Sequence, residues 1–310
     1  MAAPPIDPRT EFSLTMRRGL EFQHDASVVL HRLSECAGRA EWRELLRGIP
    51  DPQRLEHFGQ KIYSQNDEDG IISEILRRLG YTPQDGMFVD IGVESGLECN
   101  TLLLLYRSFP GLWLEGSANE VARAHQKFHG PLSSGALRIK HAFVTAENID
   151  SILGEQCQGK PVTLLSIDID GNDFWVWKAI HSVAPAVVVV EYNAKFPPPI
   201  SIVQAYHPDF VWQGTDYFGA SITALARLAA IKGYRLVGCN ITGVNAFFVR
   251  ADLVADHFPY ALTAENLYQP CRYHMEHDCF RTFGHAPDFG PYVNIDEDLS
   301  GISDGGLPPP

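Results

Sequence analysis

The chain has 310 residues, of which 45% are hydrophobic and 20% charged, and these values are ordinary for a globular protein. Its formal net charge of −13 disfavours a nucleic-acid backbone as the main partner, because phosphates would be repelled. Six cysteines form no paired framework, and we find neither a signal peptide nor an apolar run near ~20 residues. We therefore expect a reduced, cytoplasmic chain that does not bind membranes, with one large domain and an appendage or two small domains.

The two ends of the chain carry little pattern. Residues 1–10 contain three prolines and are predicted to be disordered, as is the tail 299–310. Residues 11–62 have the apolar spacing of a helical appendage. A clearer helix is predicted over 64–80, with acidic residues in its first turn and Gly80 at its end.

From residue 86 onward, short apolar runs alternate with helical patterns. Such alternation is typical of a mostly parallel sheet that helices cover on both faces. Strands are predicted at 87–91, 111–115, 138–144, 162–169, 186–192, 234–240 and 245–250, and helices at 98–107, 117–128, 147–155, 173–182 and 219–232.

The last two predicted strands must be antiparallel. Only residues 241–244 connect them, whereas a parallel crossover needs about a dozen residues or more. Seven strands, with the last reversed and paired with the sixth, is the arrangement of the Rossmann-like class I methyltransferase sheet. We predict this α/β fold for residues 63–253.

Two segments interrupt the alternation. Residues 195–218 form a long linker with three consecutive prolines, and loops of this length are usually functional or mobile. Residues 254–298 are predicted to form a lid or extension. They contain a cluster that could bind zinc or lie unliganded on the surface, and both interpretations stay open: Cys271, His274, His277 and Cys279.

The first strand ends in a glycine-containing turn with two acids, Asp90 to Gly96. Glycines here let a ligand approach the backbone. A dinucleotide-binding fingerprint would need glycine where Glu94 stands, and that carboxylate opposes a pyrophosphate. A cationic ligand such as S-adenosylmethionine suits Asp90 and Glu94, with Gly92 and Gly96 shaping the turn.

The second strand ends in Glu115, 25 residues after Asp90. An acid about 20 residues beyond the first turn accepts hydrogen bonds from ribose hydroxyls in this fold class. The alternative is a solvated acid at a strand end. We predict that Glu115 binds the ribose of the cofactor.

The fourth strand ends abruptly in three carboxylates, Asp168, Asp170 and Asp173. Ligands bind outside the carboxyl ends of strands in open α/β sheets, so this stretch is a site candidate. Asp173 is expected to cap the following helix. A calcium loop of the EF-hand type is excluded, because its sixth position would hold Asp173 instead of glycine.

The fifth strand also ends in polar residues, Glu191 and Asn193. If strands four and five are neighbours, these side chains should converge with Asp168 and Asp170. Oxygen ligands favour a hard divalent cation, most simply Mg²⁺, and we assign it to Asp168, Glu191 and Asn193. The metal would lower the pKa of an acceptor hydroxyl; alternatively Glu191 or Asp170 acts directly as general base.

Several motifs together resemble the FkbM-like family of S-adenosylmethionine-dependent methyltransferases, over about residues 63–253. The resemblance implies O-methylation, sometimes N-methylation, of a small molecule or sugar-derived product. It also implies that Gln65 and Asn66 close over the cofactor. The family usually has Asp-x-Glu-Gly after the fourth strand, whereas Asp170 stands here in place of that Glu. The motifs are Ser64–Asp69, Phe88–Gly92, Leu114–Ser117, Ser166–Gly171 and Val190–Glu191.

We therefore predict a methyltransferase that acts on a small-molecule acceptor and leave its oligomeric state open, a homodimer included. The alternatives are a metal-dependent nucleotide-sugar glycosyltransferase that uses Asp168 and Asp170, and a non-catalytic cofactor-binding protein. Fold analogy cannot decide between them. For catalysis we predict Asp168, Asp170, Glu191 and Asn193. For binding of the cofactor we predict Gln65, Asn66, Asp90, Gly92, Glu94, Gly96, Glu115 and Asp168. For binding of the acceptor we predict Lys195, His207, Asp216 and Tyr217.

Overall fold

The computed structural model describes residues 28–29, 33, 36–275 and 285–295, except for the side chain of His274. The predictions for residues 1–10 and 299–310, and for most of 11–35, lie outside these ranges. Within them, residues 36–47 are helical, as expected for the appendage.

Seven strands form one sheet, and two short strands form a second. The strands are β1 (Met87–Ile91), β2 (Gly111–Glu115), β3 (Leu137–His141), β4 (Val162–Ile167), β5 (Val187–Glu191), β6 (Ile202–Gln204), β7 (Tyr234–Cys239), β8 (Asn245–Arg250) and β9 (Tyr292–Asn294). The helices are α1 (Glu68–Leu79), α2 (Leu102–Tyr106), α3 (Ala118–Lys127), α4 (His129–Ser134), α5 (Ile149–Cys157), α6 (Asp173–Ala179), α7 (Ile222–Ile231), α8 (Ala251–Val254) and α9 (Ala264–Leu267), with 3₁₀ turns at Leu55–Phe58, Ala255–His257 and Tyr273–Met275.

The strand order of the large sheet is β3-β2-β1-β4-β5-β8-β7. The first five strands pair in parallel, and β8 is antiparallel to both of its neighbours, β5 and β7. The predicted Rossmann-like sheet with its reversed last strand is therefore confirmed. This order makes β1, β4 and β5 neighbours, so that their carboxyl ends meet at one edge.

Apolar layers cover both faces of the sheet. Along β5, Val188 and Val190 face one layer, and Val187 and Val189 face the other, because successive side chains of a strand alternate. Helices α6 and α7 contribute to the first layer and α1 to the second. A strand buried on both faces reads as an uninterrupted apolar run, which explains the valines of β5.

Helix α1 ends where the sequence predicts and begins four residues later. Gly80 has φ +74° and its N–H donates to the carbonyl of Leu76, so it closes the helix in a left-handed conformation. At the other end, the Asp69 carboxylate accepts from the N–H groups of Ile62, Tyr63 and Ser64. These bonds fold the preceding residues into a loop against the first turn.

The second sheet was not predicted from the sequence. Strand β6 lies inside the segment 195–218 and pairs antiparallel with β9 of the C-terminal segment. Val203 and Ile295, from the two segments, are buried in the main core. Three-residue strands carry no periodic signal of their own, and their partner lies far along the chain, so local pattern cannot reveal them.

Among the described helices, none combines the length and the hydropathy needed to cross a bilayer.

Candidate active site

A cleft of about 280 Å³ lies at the carboxyl ends of β1, β2 and β4. Its walls come from the turn after β1, from Glu115 to Ser117, from Phe143, and from the loop after β4. The crevice outside the carboxyl ends of the strands is where open α/β sheets bind ligands. Five acidic side chains and no basic ones are found among its lining residues: Glu94, Glu115, Glu120, Asp168 and Asp170.

Gly92 allows β1 and β4 to end side by side. Its φ of +87° is unfavourable for any residue with a side chain, and a Cβ atom there would lie 1.7 Å from the carbonyl oxygen of Asp168. Glycine is therefore required on two grounds, and the first wall of the cleft depends on it.

Glu115 joins two turns of the cleft. One carboxylate oxygen accepts from the N–H of Glu94 at 2.7 Å, and the other accepts from the N–H of Ser117 at 2.7 Å. Each oxygen of an ionised carboxylate has a second lone pair, so both can accept a further hydrogen bond. This placement suits the predicted contact with ribose hydroxyls, which stays a prediction.

Asp90 lies beneath the cleft and does not line it. It is 2% exposed and accepts from the Thr101 hydroxyl at 2.8 Å, whose oxygen in turn accepts from Trp113 Nε1 at 2.9 Å. Burial raises the pKa of Asp90 to about 6 in spite of hydrogen bonds from Thr101 and Ser166. Its position is that of a support for the β1 turn.

Three other predicted cofactor residues also lie away from the lining. A Cβ atom on Gly96 would lie 2.3 Å from the Trp113 ring, so Gly96 permits that packing. Asn66 is 5% exposed and donates its backbone N–H to Glu68 at 2.8 Å, and Gln65 beside it is exposed.

Asp168, Asp170 and Glu191 come together where β4 and β5 end. One carboxylate oxygen from each lies within 4.8 Å of the others, which is a spacing that one metal ion could bridge. Neither Asp168 nor Asp170 pairs with a lysine or arginine in the part of the chain that the structure describes. Three converging carboxylates form a set of oxygen donors that fits a hard cation.

The carboxylates of this cluster repel one another when they are charged. Burial raises the pKa of Asp168 well above its ordinary range, and the neighbouring charges of Asp170, Asp173, Asp90 and Glu68 raise it further. Burial also raises the pKa values of Asp170 and of Glu94, the latter with added repulsion from Glu120. A bound cation would reverse these shifts, because it favours the charged form of each acid.

The loop after β4 is held by Asp173 in a way that the capping prediction missed. Asn172 occupies the N-cap position of α6 without a side-chain cap. The Asp173 carboxylate instead accepts from the N–H groups of Ile169 at 2.9 Å and Gly171 at 2.8 Å, which precede the helix. These bonds fix the turn that presents Asp170, so Asp173 lies in the first turn of α6 as expected but accepts from N–H groups that precede the helix.

The side chain of Asn193, for which a metal role was predicted, is bonded to the segment that follows it. Its side chain is fully buried and donates to the carbonyls of Asp216 at 2.9 Å and Phe218 at 3.1 Å. Its Oδ1 accepts from the N–H of Lys195 at 3.2 Å. Both ends of the amide therefore hold the 195–218 segment in place, and Asp170 takes the third place beside Asp168 and Glu191.

Of the predicted acceptor residues, only His207 lies next to the cleft. Its carbonyl accepts from Asn172 Nδ2 at 2.8 Å. Lys195 pairs with Asp216, whose other oxygen accepts from the N–H of Asp288 at 2.6 Å. The Tyr217 hydroxyl donates to the carbonyl of Pro291 at 3.1 Å. Lys195, Asp216 and Tyr217 thus anchor the C-terminal segment.

Two aromatic residues of the cleft were missed. Phe143 follows β3 and is 47% exposed, and Phe210 lies over Gly171, where a Cβ atom would be 2.6 Å from its ring. The sequence analysis assigned Phe143 to the end of the third strand. It treated Phe210 as one of several aromatic residues in the linker 195–218. The third strand ends at His141, so Phe143 belongs to the loop that borders the cleft, and the apolar run contained no signal for that end.

The cluster that could bind zinc lies largely outside the described residues. Cys271 is partly buried, but the side chain of His274 and all of His277 and Cys279 lie outside the described residues.

No family model and no curated protein matches the chain. Similar solved structures include an O-methyltransferase family protein from Burkholderia thailandensis, with 12% identity, a TM-score of 0.39, and coverage of 58% of this chain and 54% of that one. The N-terminal domain of EvdMO1 with SAH bound has 15% identity, a TM-score of 0.39 and coverage of 67% and 94%. CalS10, an amino pentose methyltransferase from Micromonospora echinaspora with SAM bound, has 13% identity, a TM-score of 0.38 and coverage of 62% and 99%. Similarity at this level assigns no activity to the chain.

Proposed function

We propose that the protein is an S-adenosylmethionine-dependent methyltransferase that methylates an oxygen of a small-molecule or sugar-derived acceptor, assisted by a divalent cation such as Mg²⁺. The observation that carries the proposal is the cleft at the carboxyl edge of a Rossmann-like sheet, with five acidic and no basic side chains in its described lining. S-adenosylmethionine has a sulfonium and an ammonium group, so such a lining attracts it. A diphosphate would be repelled there.

The residues divide between two tasks. Glu115 would accept hydrogen bonds from the ribose hydroxyls, Glu94 would attract the ammonium group, and Phe143 would offer an apolar surface to the adenine. Asp168, Asp170 and Glu191 face the acceptor. Their oxygens would hold the cation, in a donor set of the kind that Mg²⁺ prefers.

The chemistry requires alignment and the removal of one proton. When bound, S-adenosylmethionine supplies the methyl group, and the cation lowers the pKa of the acceptor hydroxyl. Asp168 orients the acceptor, and the carboxylate of Asp170 or Glu191 accepts its proton. Bound S-adenosylmethionine would donate its methyl carbon to the acceptor oxygen, and its sulfur would leave with the electron pair of the broken carbon–sulfur bond. The walls of the cleft keep these groups in line.

The test is calorimetry with S-adenosylhomocysteine, followed by turnover of S-adenosylmethionine across a panel of hydroxylated acceptors with and without Mg²⁺. We expect S-adenosylhomocysteine to bind, and Asp168→Asn to retain that binding while turnover falls about 100-fold or more. Asp209→Asn is a matched control, because it makes the same change at an exposed position outside the cleft lining.

Three outcomes would contradict parts of the proposed function. Binding of a nucleotide sugar without binding of S-adenosylhomocysteine would favour the glycosyltransferase. An Asp168→Asn enzyme with native turnover would remove the acidic cluster from the reaction. Binding without turnover of any acceptor would favour a non-catalytic cofactor-binding protein.

A further inference from the structure

Glu68, the first residue of α1, is a buried carboxylate close to the acidic cluster. It is fully buried and accepts hydrogen bonds from the backbone N–H of Asn66 at 2.8 Å, from Asn240 Nδ2 at 2.7 Å and from Asn245 Nδ2 at 3.1 Å. No lysine or arginine pairs with it within the described ranges. Its charge is close enough to Asp168 to act on that carboxylate.

Asn245 connects Glu68 with the acidic cluster. It is the first residue of β8 and lies directly opposite Glu191 of β5 in the antiparallel register. Directly opposite residues project from the same face of a sheet, with Cβ atoms about 4.5–5.5 Å apart. Asn245 therefore lies beside Glu191 on the face that also receives Asp168.

The amide of Asn245 is only half satisfied. Its side chain is 1% exposed, and its Oδ1 has no hydrogen-bond partner among the described residues. A buried polar atom without a partner costs about 1–3 kcal/mol. Because Glu68 accepts a hydrogen bond from Asn245 Nδ2, it fixes that end of the amide on its own side and turns Oδ1 away from itself.

We propose that Asn245 Oδ1 is a fourth protein oxygen for the divalent cation that Asp168, Asp170 and Glu191 would hold, and that Glu68 is the positioning residue that orients it. This rests on the metal assigned in the proposed function. A neutral amide oxygen adds a ligand without adding to the repulsion among three carboxylates. Asn193, the amide expected from the sequence, has both ends of its side chain bonded to the 195–218 segment.

The experiment measures Mn²⁺ affinity by electron paramagnetic resonance and S-adenosylhomocysteine affinity by calorimetry on the same samples. We expect Asn245→Leu to weaken Mn²⁺ binding about tenfold or more, while S-adenosylhomocysteine affinity changes less than threefold. Asn193→Ala should leave Mn²⁺ affinity within threefold of the native value. Asn245→Ala removes the same oxygen with less added volume and should weaken Mn²⁺ binding by a similar factor, which covers the case in which the leucine variant fails to fold.

A double-mutant cycle tests the role of Glu68. Glu68→Gln should weaken Mn²⁺ binding in the native background, because a glutamine can donate as well as accept and no longer fixes the amide of Asn245. In the Asn245→Ala background the same change should have little effect, since no amide remains to be oriented. A purely structural role for Glu68 would give equal losses in both backgrounds.

The failures are distinguishable. Native Mn²⁺ affinity in Asn245→Leu, or a loss confined to Asn193→Ala, overturns the inference and leaves the proposed function standing. A native protein that binds S-adenosylhomocysteine but not Mn²⁺ removes both this inference and the metal, and leaves the methyl donor. A native protein that binds neither removes the proposed function itself.

Discussion

Glu115 uses both of its carboxylate oxygens to hold backbone N–H groups on opposite sides of the cleft. Glu115→Gln replaces one of these acceptors by a donor, so one bond is lost and an N–H₂ group faces an N–H. It also removes an acceptor for the ribose. Hydrogen bonds to charged groups contribute about 1.5–3 kcal/mol, so S-adenosylhomocysteine affinity should fall roughly 10- to 100-fold in calorimetry.

Glu120→Gln is the matched control for this prediction. Glu120 also lines the cleft and loses the same charge, but its carboxylate pairs with Arg123. We expect its effect to stay within about threefold. Equal losses in the two variants would mean that the charge of the cleft matters and the geometry of Glu115 does not.

Asp90 gives a prediction about pH. Burial raises its pKa from 3.8 to about 6 in the folded protein. The folded state therefore holds this proton more tightly than the unfolded chain, and the resulting stability is present below pH 4 and lost as the pH rises to about 6. Asp90→Asn resembles the protonated form and should be more stable than the native protein at pH 7 by about 2 kcal/mol.

Urea unfolding between pH 4 and pH 8 provides the measurement. The stability difference between Asp90→Asn and the native protein should grow through this window and level off above pH 6. A difference that does not change with pH would show that Asp90 has an ordinary pKa in the folded protein. The native profile alone is not decisive, because other acids titrate in the same range.

At the scale of single residues, the sequence predicts where a side chain lies when that position depends only on where a strand ends. Glu115 and Glu191 end their strands and Asp168 directly follows one, and the order of the strands brings their side chains to one edge. Asn193 differs, because the chain has already turned away and its amide bonds to residues 216–218. Asn245 was missed because its importance arises from pairing across the sheet.

The loop between β4 and α6 contains a residue with a positive φ. Asp170 has φ +55°, a left-handed conformation that costs an ordinary residue about 1–2 kcal/mol. Its carboxylate also repels that of Asp168. Asp170→Gly should relieve both effects and raise the melting temperature by about 2–4 °C, while Mn²⁺ binding and turnover are lost.

Asp170→Ala separates the two causes. Alanine removes the charge but keeps the unfavourable φ, so its stability should rise less than that of the glycine variant in thermal unfolding. If both variants are less stable than the native protein, the carboxylate of Asp170 has a structural role in this loop.

The elements themselves could largely be predicted from local pattern. The valines of β5 and the isoleucines of α1 have the periods of a buried strand and an amphipathic helix, and Gly80 marks a helix end. Strands β6 and β9 could not, because each has three residues and depends on a partner from a distant segment. The sequence analysis therefore described residues 195–218 as a linker and residues 254–298 as a lid or extension, whereas the structure joins strands from both segments into one small sheet.

At the scale of the whole molecule, that small sheet fastens the C-terminal segment to the main core. Ile295 follows β9, is 1% exposed, and donates its N–H to the carbonyl of Ser201 at 3.0 Å. Lys195, Asp216 and Tyr217 add polar contacts between the same two segments. We infer that residues 285–295 stabilise the fold, in addition to any role in covering an acceptor.

Ile295→Ala tests this inference. Removing a buried isoleucine side chain costs about 2–5 kcal/mol, so the free energy of unfolding in urea should fall by that amount. Binding of S-adenosylhomocysteine should persist under native conditions, because Ile295 does not line the cleft. Phe289→Ala in the same segment is the control: its side chain is 91% exposed, and we expect a change within about 0.5 kcal/mol. If Ile295→Ala is no less stable than Phe289→Ala, the segment covers the core without stabilising it, and a detachable lid becomes the better description.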